Sequence, residues 1–183
     1  LTDGDGGVTW PFGTFTSTPF VANQELVFSQ SLSGEPIVKP LYVPVPLNGM
    51  NTRGAWTSLG KGVKGRPIGV AYGPKQAPKY FALRRDPIDN SLRAIGRDQA
   101  GRWGEWQNLG GAFRGDPAAA ALFEGSYDST VVNVPNEEVK SRIHVFARGV
   151  DNTLMHRIWR QESGWGPWDS LGGHLSSSPN VHG

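Results

Sequence analysis

The sequence WDSLGG at residues 168–173 has two counterparts in the same chain, WQNLGG at 106–111 and WTSLG at 56–60. In each copy a proline follows the leucine by eight residues, at Pro67, Pro117 and Pro179. Successive prolines are therefore 50 and then 62 residues apart. Self-similarity at such a period is typical of repeat architectures, in which each copy is one supersecondary unit.

Alternation of apolar and polar residues predicts four short strands in each repeat. Residues 141–148 and 154–160 both alternate with the period of a strand, and a turn at 149–152 separates them. Residues 165–171 predict a third strand, and residues 118–123, which follow the proline, predict a fourth. The 25 glycines and 14 prolines favour many short strands joined by turns. The chain is therefore predicted to be all-β, and its architecture to be a β-propeller of four-stranded antiparallel blades of about 50 residues each.

The repeats also predict the domain organisation. We expect residues 1–66 to form a degenerate first blade with an N-terminal partial strand, 67–116 a second blade, 117–178 a third, and 179–183 the start of a further unit. The extra length of the third repeat falls in a polar stretch near 126–140, which predicts an exposed inserted loop. Prolines at positions 36, 40, 44 and 46 predict an extended, loop-like or edge segment over residues 38–47 in the first repeat.

The number of repeats leaves the predicted ring incomplete within this chain. A propeller closes with about four to eight blades, and only three full repeats are found in the sequence. Two alternatives stay open at this stage. The chain is a fragment of a longer one, or the ring is completed by a homo-oligomer or by a companion chain.

Composition excludes several classes of function. The 183 residues carry a formal net charge of +2, and the basic side chains are scattered among acidic ones, so nucleic acid is not expected as a partner. No apolar stretch is long enough to span a bilayer, so membrane insertion is not expected. The chain has no cysteine and no nucleophile elbow, phosphate-binding glycine loop or His-Glu-x-x-His spacing. We therefore expect no catalytic residues, no metal and no cofactor.

One stretch of the third repeat carries a resemblance to a known family. FARGVDNTLMH at 146–156, followed by Trp165, Trp168 and LGG at 171–173, resembles the repeat of PLL-like propeller lectins, and the tectonin-type propellers are a looser relative. The resemblance implies a toroidal lectin with several sugar sites, often for fucose or methylated sugars. It also implies an extracellular protein, with glycans or glycoconjugates as its partners. Related repeats accompany secreted microbial enzymes as accessory modules.

Tryptophan is the residue on which a lectin function would rest. An indole face packs against the C–H face of a pyranose, while nearby donors and acceptors fix the hydroxyl groups. We predict sugar sites between neighbouring blades. The candidate ligand-binding residues are Trp103, Trp106, Trp159, Trp165, Trp168, Arg85, Arg148, Asn152 and His156.

Each candidate also has a structural explanation. Trp56, Trp106 and Trp168 recur at one position of the repeat, which is typical of a core wedge between blades. Asn90 and Asn152 follow an aspartate in a predicted hairpin turn, where a left-handed residue is favoured. His156 has Ala94 in its place in the previous repeat and would then be an ordinary satisfied polar group. Trp159 has Ile95 or Gly96 in its predicted place, so it is the tryptophan least expected to be generic core.

Three functions are therefore open from the sequence. The first is a non-enzymatic, multivalent carbohydrate-binding propeller. The second is a protein-interaction or structural propeller, in which the tryptophans are all core and loops such as 126–140 bind the partner. The third is an accessory module of a larger secreted enzyme.

Overall fold

The computed structural model describes residues 20–22, 26–40, 54–61, 63–73, 79–98, 100–124 and 140–181. The described part of the chain forms three four-stranded sheets, and every strand pair of known register in it is antiparallel. None of the described residues is helical. The prediction of an all-β chain of four-stranded antiparallel sheets is confirmed.

Each sheet is built from four strands that follow one another in the chain. The first sheet has the order β1-β2-β3-β4, from β1 (Phe20–Ala22), β2 (Leu26–Gln30), β3 (Pro36–Pro40) and β4 (Thr57–Ser58). The second has the order β5-β6-β7-β8, from β5 (Pro67–Tyr72), β6 (Lys79–Arg85), β7 (Leu92–Arg97) and β8 (Gln107–Gly110). The third has the order β12-β11-β10-β9, from β9 (Phe113–Glu124), β10 (Lys140–Gly149), β11 (Leu154–Arg160) and β12 (Gly164–Gly172).

The chain divides into two compact units, residues 1–69 and 70–183. The first unit holds β1 to β4 and the start of β5, and the second holds the remaining strands. The blade boundaries predicted at 66/67, 116/117 and 178/179 stay predictions. The N-terminal partial strand and the inserted loop near 126–140, up to residue 139, lie outside the described residues. In the part that is described, no helix has the length and apolarity needed to cross a bilayer.

Two prolines lie at the ends of an inner strand of the first sheet. Pro36 and Pro40 bound β3, which pairs with β2 on one side and β4 on the other. Residues 38–40 of the predicted segment are therefore extended, as one of the three alternatives had it, but they form neither a loop nor an edge strand. Proline lacks an N–H donor but keeps its carbonyl. Leu59 N donates to Pro36 O over 2.9 Å and Gly54 N donates to Pro40 O over 3.1 Å. The N–H donors that Pro36 and Pro40 lack would therefore have pointed only to the β4 side of β3. Positions 44 and 46 lie outside the described residues.

The repeated glycines are explained by a bulge at the same place in two sheets. The register between β7 and β8 shifts where Leu92 pairs with Gly110, and the register between β11 and β12 shifts where Leu154 pairs with Gly172. Gly110 and Gly172 have φ of +70° and +74°. Left-handed backbone of this kind is adopted readily by glycine, and bulges often require it. The motif WxxLGG is thus the sequence of a bulged final strand.

The two faces of β9–β12 differ in burial. On β10, Ile143, Val145 and Ala147 are buried, while the alternate residues, including His144 and Phe146, are only half-buried. Side chains of a strand point alternately to opposite faces, so β10 buries the side chains of one face more than those of the other. We call the more buried side the inner face and the other side the ring face of β9–β12.

Candidate functional site

Four aromatic rings meet on the inner face of β9–β12, inside the second unit. We call Tyr72, Phe81, Trp159 and Trp165 the aromatic cluster. The Trp159 ring lies 4.7 Å from the Tyr72 ring and 5.2 Å from the Phe81 ring, in edge-to-face arrangements. Phe81 also lies 5.6 Å from Trp165 and stacks on Tyr72 at 5.2 Å. The cluster therefore joins strands β5 and β6 to strands β11 and β12.

Strand pairing places the two indoles side by side. Trp159 pairs with Ile143 of β10 on one side and with Trp165 of β12 on the other, so all three point to the inner face. Tyr72 and Phe81 are buried, whereas Trp159 and Trp165 are half-buried. Burial also raises the pKa of the Tyr72 hydroxyl, which keeps it neutral. The cluster thus has a buried base of two rings and two partly exposed indoles above it.

A second group of contacts lies beside the aromatic cluster. The Arg157 guanidinium carbon lies 5.8 Å from the Trp165 ring centre and 5.7 Å from that of Trp168. Trp168 Nε1 donates to the carbonyl oxygen of Leu109 over 2.9 Å, and Arg157 Nη1 donates to the same oxygen. The Trp168 ring also lies 4.6 Å from the Phe113 ring. We call Arg157, Trp168, Leu109 and Phe113 the indole clamp, because they fasten β12 to the end of β8.

Two of the predicted site residues hold a hairpin turn together. Arg148 Nε and Nη2 donate to Asn152 Oδ1 over 2.9 and 2.6 Å, and Arg148 Nη1 donates to Ser176 O over 2.9 Å. Asn152 has a φ of +71°, and its carbonyl accepts from Leu175 N over 2.8 Å. The prediction of a left-handed asparagine in the turn is confirmed here.

The same turn is repeated one sheet earlier. Arg85 Nη1 donates to Asn90 Oδ1, Asn90 has a φ of +59°, and its carbonyl accepts from Phe113 N over 3.0 Å. The aspartates before the two asparagines, Asp89 and Asp151, each accept from the backbone and hydroxyl of the next residue but one, and these hydrogen bonds lower the pKa of both carboxyl groups. The arginine-asparagine pairs are therefore a structural element of the repeat.

His156 lies on the ring face of β9–β12, opposite to the aromatic cluster. Its Nε2 lies 3.0 Å from His144 Nδ1, and the two rings stack at 5.1 Å between centres. The Phe146 ring stacks on His156 at 4.9 Å. The pKa of His144 is lowered, first by burial and then by the charges of His156, Arg142 and Arg160.

Trp103 and Trp106 lie on the face of β5–β8 that is opposite to Phe81. Trp103 forms a bridge with Arg97, and the Arg84 guanidinium lies 4.9 Å from the Trp106 ring centre. Trp103 pairs with Arg97 as Trp165 pairs with Trp159, so Arg97, and not Ile95 or Gly96, occupies the place of Trp159. The prediction of Ile95 or Gly96 was wrong because it did not follow the strand register. Trp159 still has no aromatic counterpart at this position of β5–β8.

The nine predicted residues thus fall into four places. Trp159, Trp165 and Trp168 lie on the inner face, Arg148 with Asn152 and Arg85 in the two turns, His156 on the ring face, and Trp103 with Trp106 on another sheet. Tyr72, Phe81 and Arg157 were missed, and the only available signal was the strand alternation of their segments. A ligand-binding role for each of the nine stays a prediction. Among the described residues, no three metal-binding side chains lie together.

One family of repeats matches a part of this chain, and solved structures are similar to it. A family described as "Repeat of unknown function (DUF346)" matches residues 143–180, which contain most of β10 and all of β11 and β12. No curated protein matches the chain. Among solved structures, a triple arginine-to-alanine mutant of AofleA from Arthrobotrys oligospora matches with a TM-score of 0.54 and 14% identity, over 92% of this chain and 47% of that one. The chain shares a fold with AofleA.

The matched structures differ in how much of them this chain spans. It spans 47%, about half, of the AofleA chain. A fucose lectin from Kordia zhangzhouensis, solved in complex with methyl-fucoside, matches with a TM-score of 0.43 and 12% identity, over 81% of this chain and 98% of that one. At these identities the likeness to AofleA concerns the fold, and the resemblance to PLL-like lectins in particular stays a prediction.

Proposed function

We propose that this chain is a non-enzymatic carbohydrate-binding protein of the β-propeller type, which holds a sugar against Trp159 and Trp165. The observation that carries the proposal is the aromatic cluster, in which two half-buried indoles stand on a buried base of Tyr72 and Phe81. Rings fixed in this way lose little conformational freedom when a ligand binds. Indoles offer both an apolar face for sugar C–H groups and an N–H donor for a hydroxyl.

The class of sugar and the number of sites are part of the proposal. The resemblance to PLL-like lectins favours fucose-type or methylated sugars, whose methyl groups suit an aromatic surface. The site is repeated with changes: in β5–β8 the pair Trp159 and Trp165 is replaced by Arg97 and Trp103. We therefore expect unequal sites, with the aromatic cluster the strongest, and multivalent binding to glycans through avidity. An extracellular location fits this function.

A structural or protein-interaction propeller is the competing function, and one observation favours it. The rings of Trp159 and Trp165 already pack against Phe81, and Trp168 already packs against Phe113. Packing of this kind would be kept for stability even if no sugar bound. If the chain is an accessory module of a larger secreted enzyme, the intact mass of the native protein will exceed that of these 183 residues.

The test is a titration of intrinsic tryptophan fluorescence with fucose, galactose and N-acetylglucosamine. We expect a saturable change with at least one sugar, and a roughly tenfold weaker affinity in Trp159→Phe, which keeps a ring on Phe81 but removes indole surface. Trp103→Phe is the matched control, since it makes the same change where Arg97 replaces the second indole, and its affinity should change less than about twofold. Absence of any saturable change with the folded protein would favour the structural propeller.

A further inference from the structure

Arg157 lies beside the proposed sugar site, because the Trp165 ring belongs both to the aromatic cluster and to the contacts of Arg157. The Trp165 ring centre lies 5.6 Å from that of Phe81 and 5.8 Å from the Arg157 guanidinium carbon. Arg157 and Trp159 are alternate residues of β11, so both side chains point to the inner face of β9–β12. A sugar that lies on the two indoles therefore has the guanidinium next to its rim.

No anionic side chain neutralises this guanidinium in the described part of the chain. Its contacts there are the carbonyl oxygen of Leu109, which accepts from Nη1, and the rings of Trp165 and Trp168. Nη2 has no hydrogen bond among the described residues and, unlike Nε, is not buried. Other arginines of the described ranges do pair with an aspartate: Arg84, Arg93 and Arg102. Arg157 thus keeps both a positive charge and a donor for a ligand.

The preceding repeat shows that the fold does not require an arginine at this position. Counted from the paired residues at the two bulges, Ile95 on β7 has the place of Arg157 on β11. Ile95 is 2% exposed and fills its position with apolar surface. An arginine in such a place loses part of the hydration of its charge, which is costly unless a partner replaces it. Packing alone therefore does not account for the charge in the third repeat.

We infer that the sugar held at the aromatic cluster is an anionic one, with a carboxylate or sulfate group that pairs with Arg157. The planar guanidinium offers N–H donors in a fixed arrangement that matches two oxygens of an anion. The pair would form beside two indole rings that displace water, where charges interact more strongly than in bulk solvent. A sulfated deoxy or methylated sugar carries both this group and the methyl group proposed above. The inference rests on the proposed function, because it concerns the ligand of the same site.

The experiment compares neutral sugars with their anionic forms by titration of tryptophan fluorescence, at an ionic strength of about 20 mM. Fucose, galactose and N-acetylglucosamine are each paired with a sulfated form, and galactose is also paired with galacturonic acid. We expect at least one anionic form to bind about tenfold more tightly than its neutral parent. Added salt should reduce that difference, because it screens the ion pair. The carboxylate and sulfate arms distinguish the two kinds of anionic group.

Substitutions of Arg157 test whether it is the residue that recognises the anionic group. Arg157→Gln should reduce the preference for the anionic form to less than about twofold, and Arg157→Lys, which keeps the charge, should retain part of it. Arg102→Gln is the matched control, since it removes the same charge from a side chain that is 81% exposed and already pairs with Asp98. Its preference should equal that of the wild type. Circular dichroism shows whether each variant is folded, and the wild-type comparison with its salt dependence decides the inference even where Arg157→Gln does not fold.

Two results would overturn the anionic ligand: neutral and anionic forms that bind the wild-type chain equally, or a folded Arg157→Gln chain that keeps the full preference. Saturable binding of a neutral sugar in the same series would leave the lectin function standing. Absence of a saturable change with every sugar, neutral or anionic, would contradict the lectin function and the anionic ligand with it.

Discussion

Arg157 is held by π-systems and a carbonyl, with no carboxylate among its described contacts. Its guanidinium lies between the rings of Trp165 and Trp168, and one nitrogen donates to Leu109 O. Its Nε is buried and has no hydrogen-bond partner in the described ranges. Desolvation lowers the pKa of the guanidinium, but arginine remains protonated at any ordinary pH. The charge is thus stabilised by two indole faces, which contribute about 0.5–2 kcal/mol in partly desolvated sites.

The indole clamp gives a prediction at the scale of one residue. Trp168→Phe keeps a ring against Phe113 but removes the donor to Leu109 O and weakens the contact with Arg157. We expect the free energy of unfolding to fall by about 1–3 kcal/mol, from the lost hydrogen bond and indole surface. Urea denaturation measures it. If Trp168 binds sugar directly instead, the variant will lose sugar affinity while its midpoint in urea stays unchanged.

At the scale of elements, the turn between β10 and β11 combines two requirements on one residue. Asn152 must adopt a φ of +71°, and its side chain must accept from Arg148. Asn152→Gly keeps the backbone conformation and loses the acceptor, whereas Asn152→Ala loses both. We expect glycine to cost about 1–2 kcal/mol, and alanine about 1 kcal/mol more.

Thermal unfolding of the two Asn152 variants measures this order, and the same pair of substitutions at Asn90 is the internal comparison. Arg85 donates to Asn90 as Arg148 does to Asn152, so both turns should rank their variants alike. An alanine variant as stable as the glycine variant would mean that the left-handed backbone is not a constraint on this turn.

The sequence predicted those parts of the structure that depend on local pattern. Alternation placed β10 and β11, and the Asp-Asn dipeptides marked left-handed turn residues correctly. It did not reveal that Phe81 supports Trp159, because that contact depends on how two sheets pack and not on spacing along the chain. Pro36 and Pro40 misled the prediction for β3, since a proline is tolerated where only its carbonyl is needed.

At the scale of the whole molecule, the repeat explains why the predicted site residues separate. Alternate residues of one strand serve opposite faces, so Arg157 and Trp159 lie on the inner face while His156 and Ile158 lie on the ring face. A list of polar and aromatic residues from one repeat therefore mixes two surfaces. In the second unit the inner face of β9–β12 joins β5–β8 through the aromatic cluster and the indole clamp. The ring face carries His144, Phe146, His156 and Ile158, which are half-buried.

The stability of the folded chain should depend on pH, because His144 is half-buried on the ring face of β9–β12. Burial, followed by the charges of neighbouring side chains, holds the pKa of His144 below its ordinary value near 6.5, so its neutral form is favoured in the folded chain. A histidine with a lowered pKa contributes stability that is present above its ordinary pKa and is lost as the pH falls from there through the lowered pKa. The described cations on this face are Arg142 and Arg148 on β10, Arg160 on β11 and Arg114 on β9, which pairs with Arg148. The described acidic residues nearby are Asp169 on β12, which pairs with His156, and Asp116, which lies on β9 between Arg114 and Ala118.

Protonation of His144 therefore adds positive charge to a half-buried position on a face that already has an excess of it. We expect the free energy of unfolding to fall as the pH is lowered from about 7.5 to about 5. His144→Gln removes the titrating group and should make the free energy of unfolding less dependent on pH over that range. Urea denaturation at several pH values measures both chains. A free energy of unfolding that falls equally with pH in the wild-type and His144→Gln chains would exclude His144 as the cause.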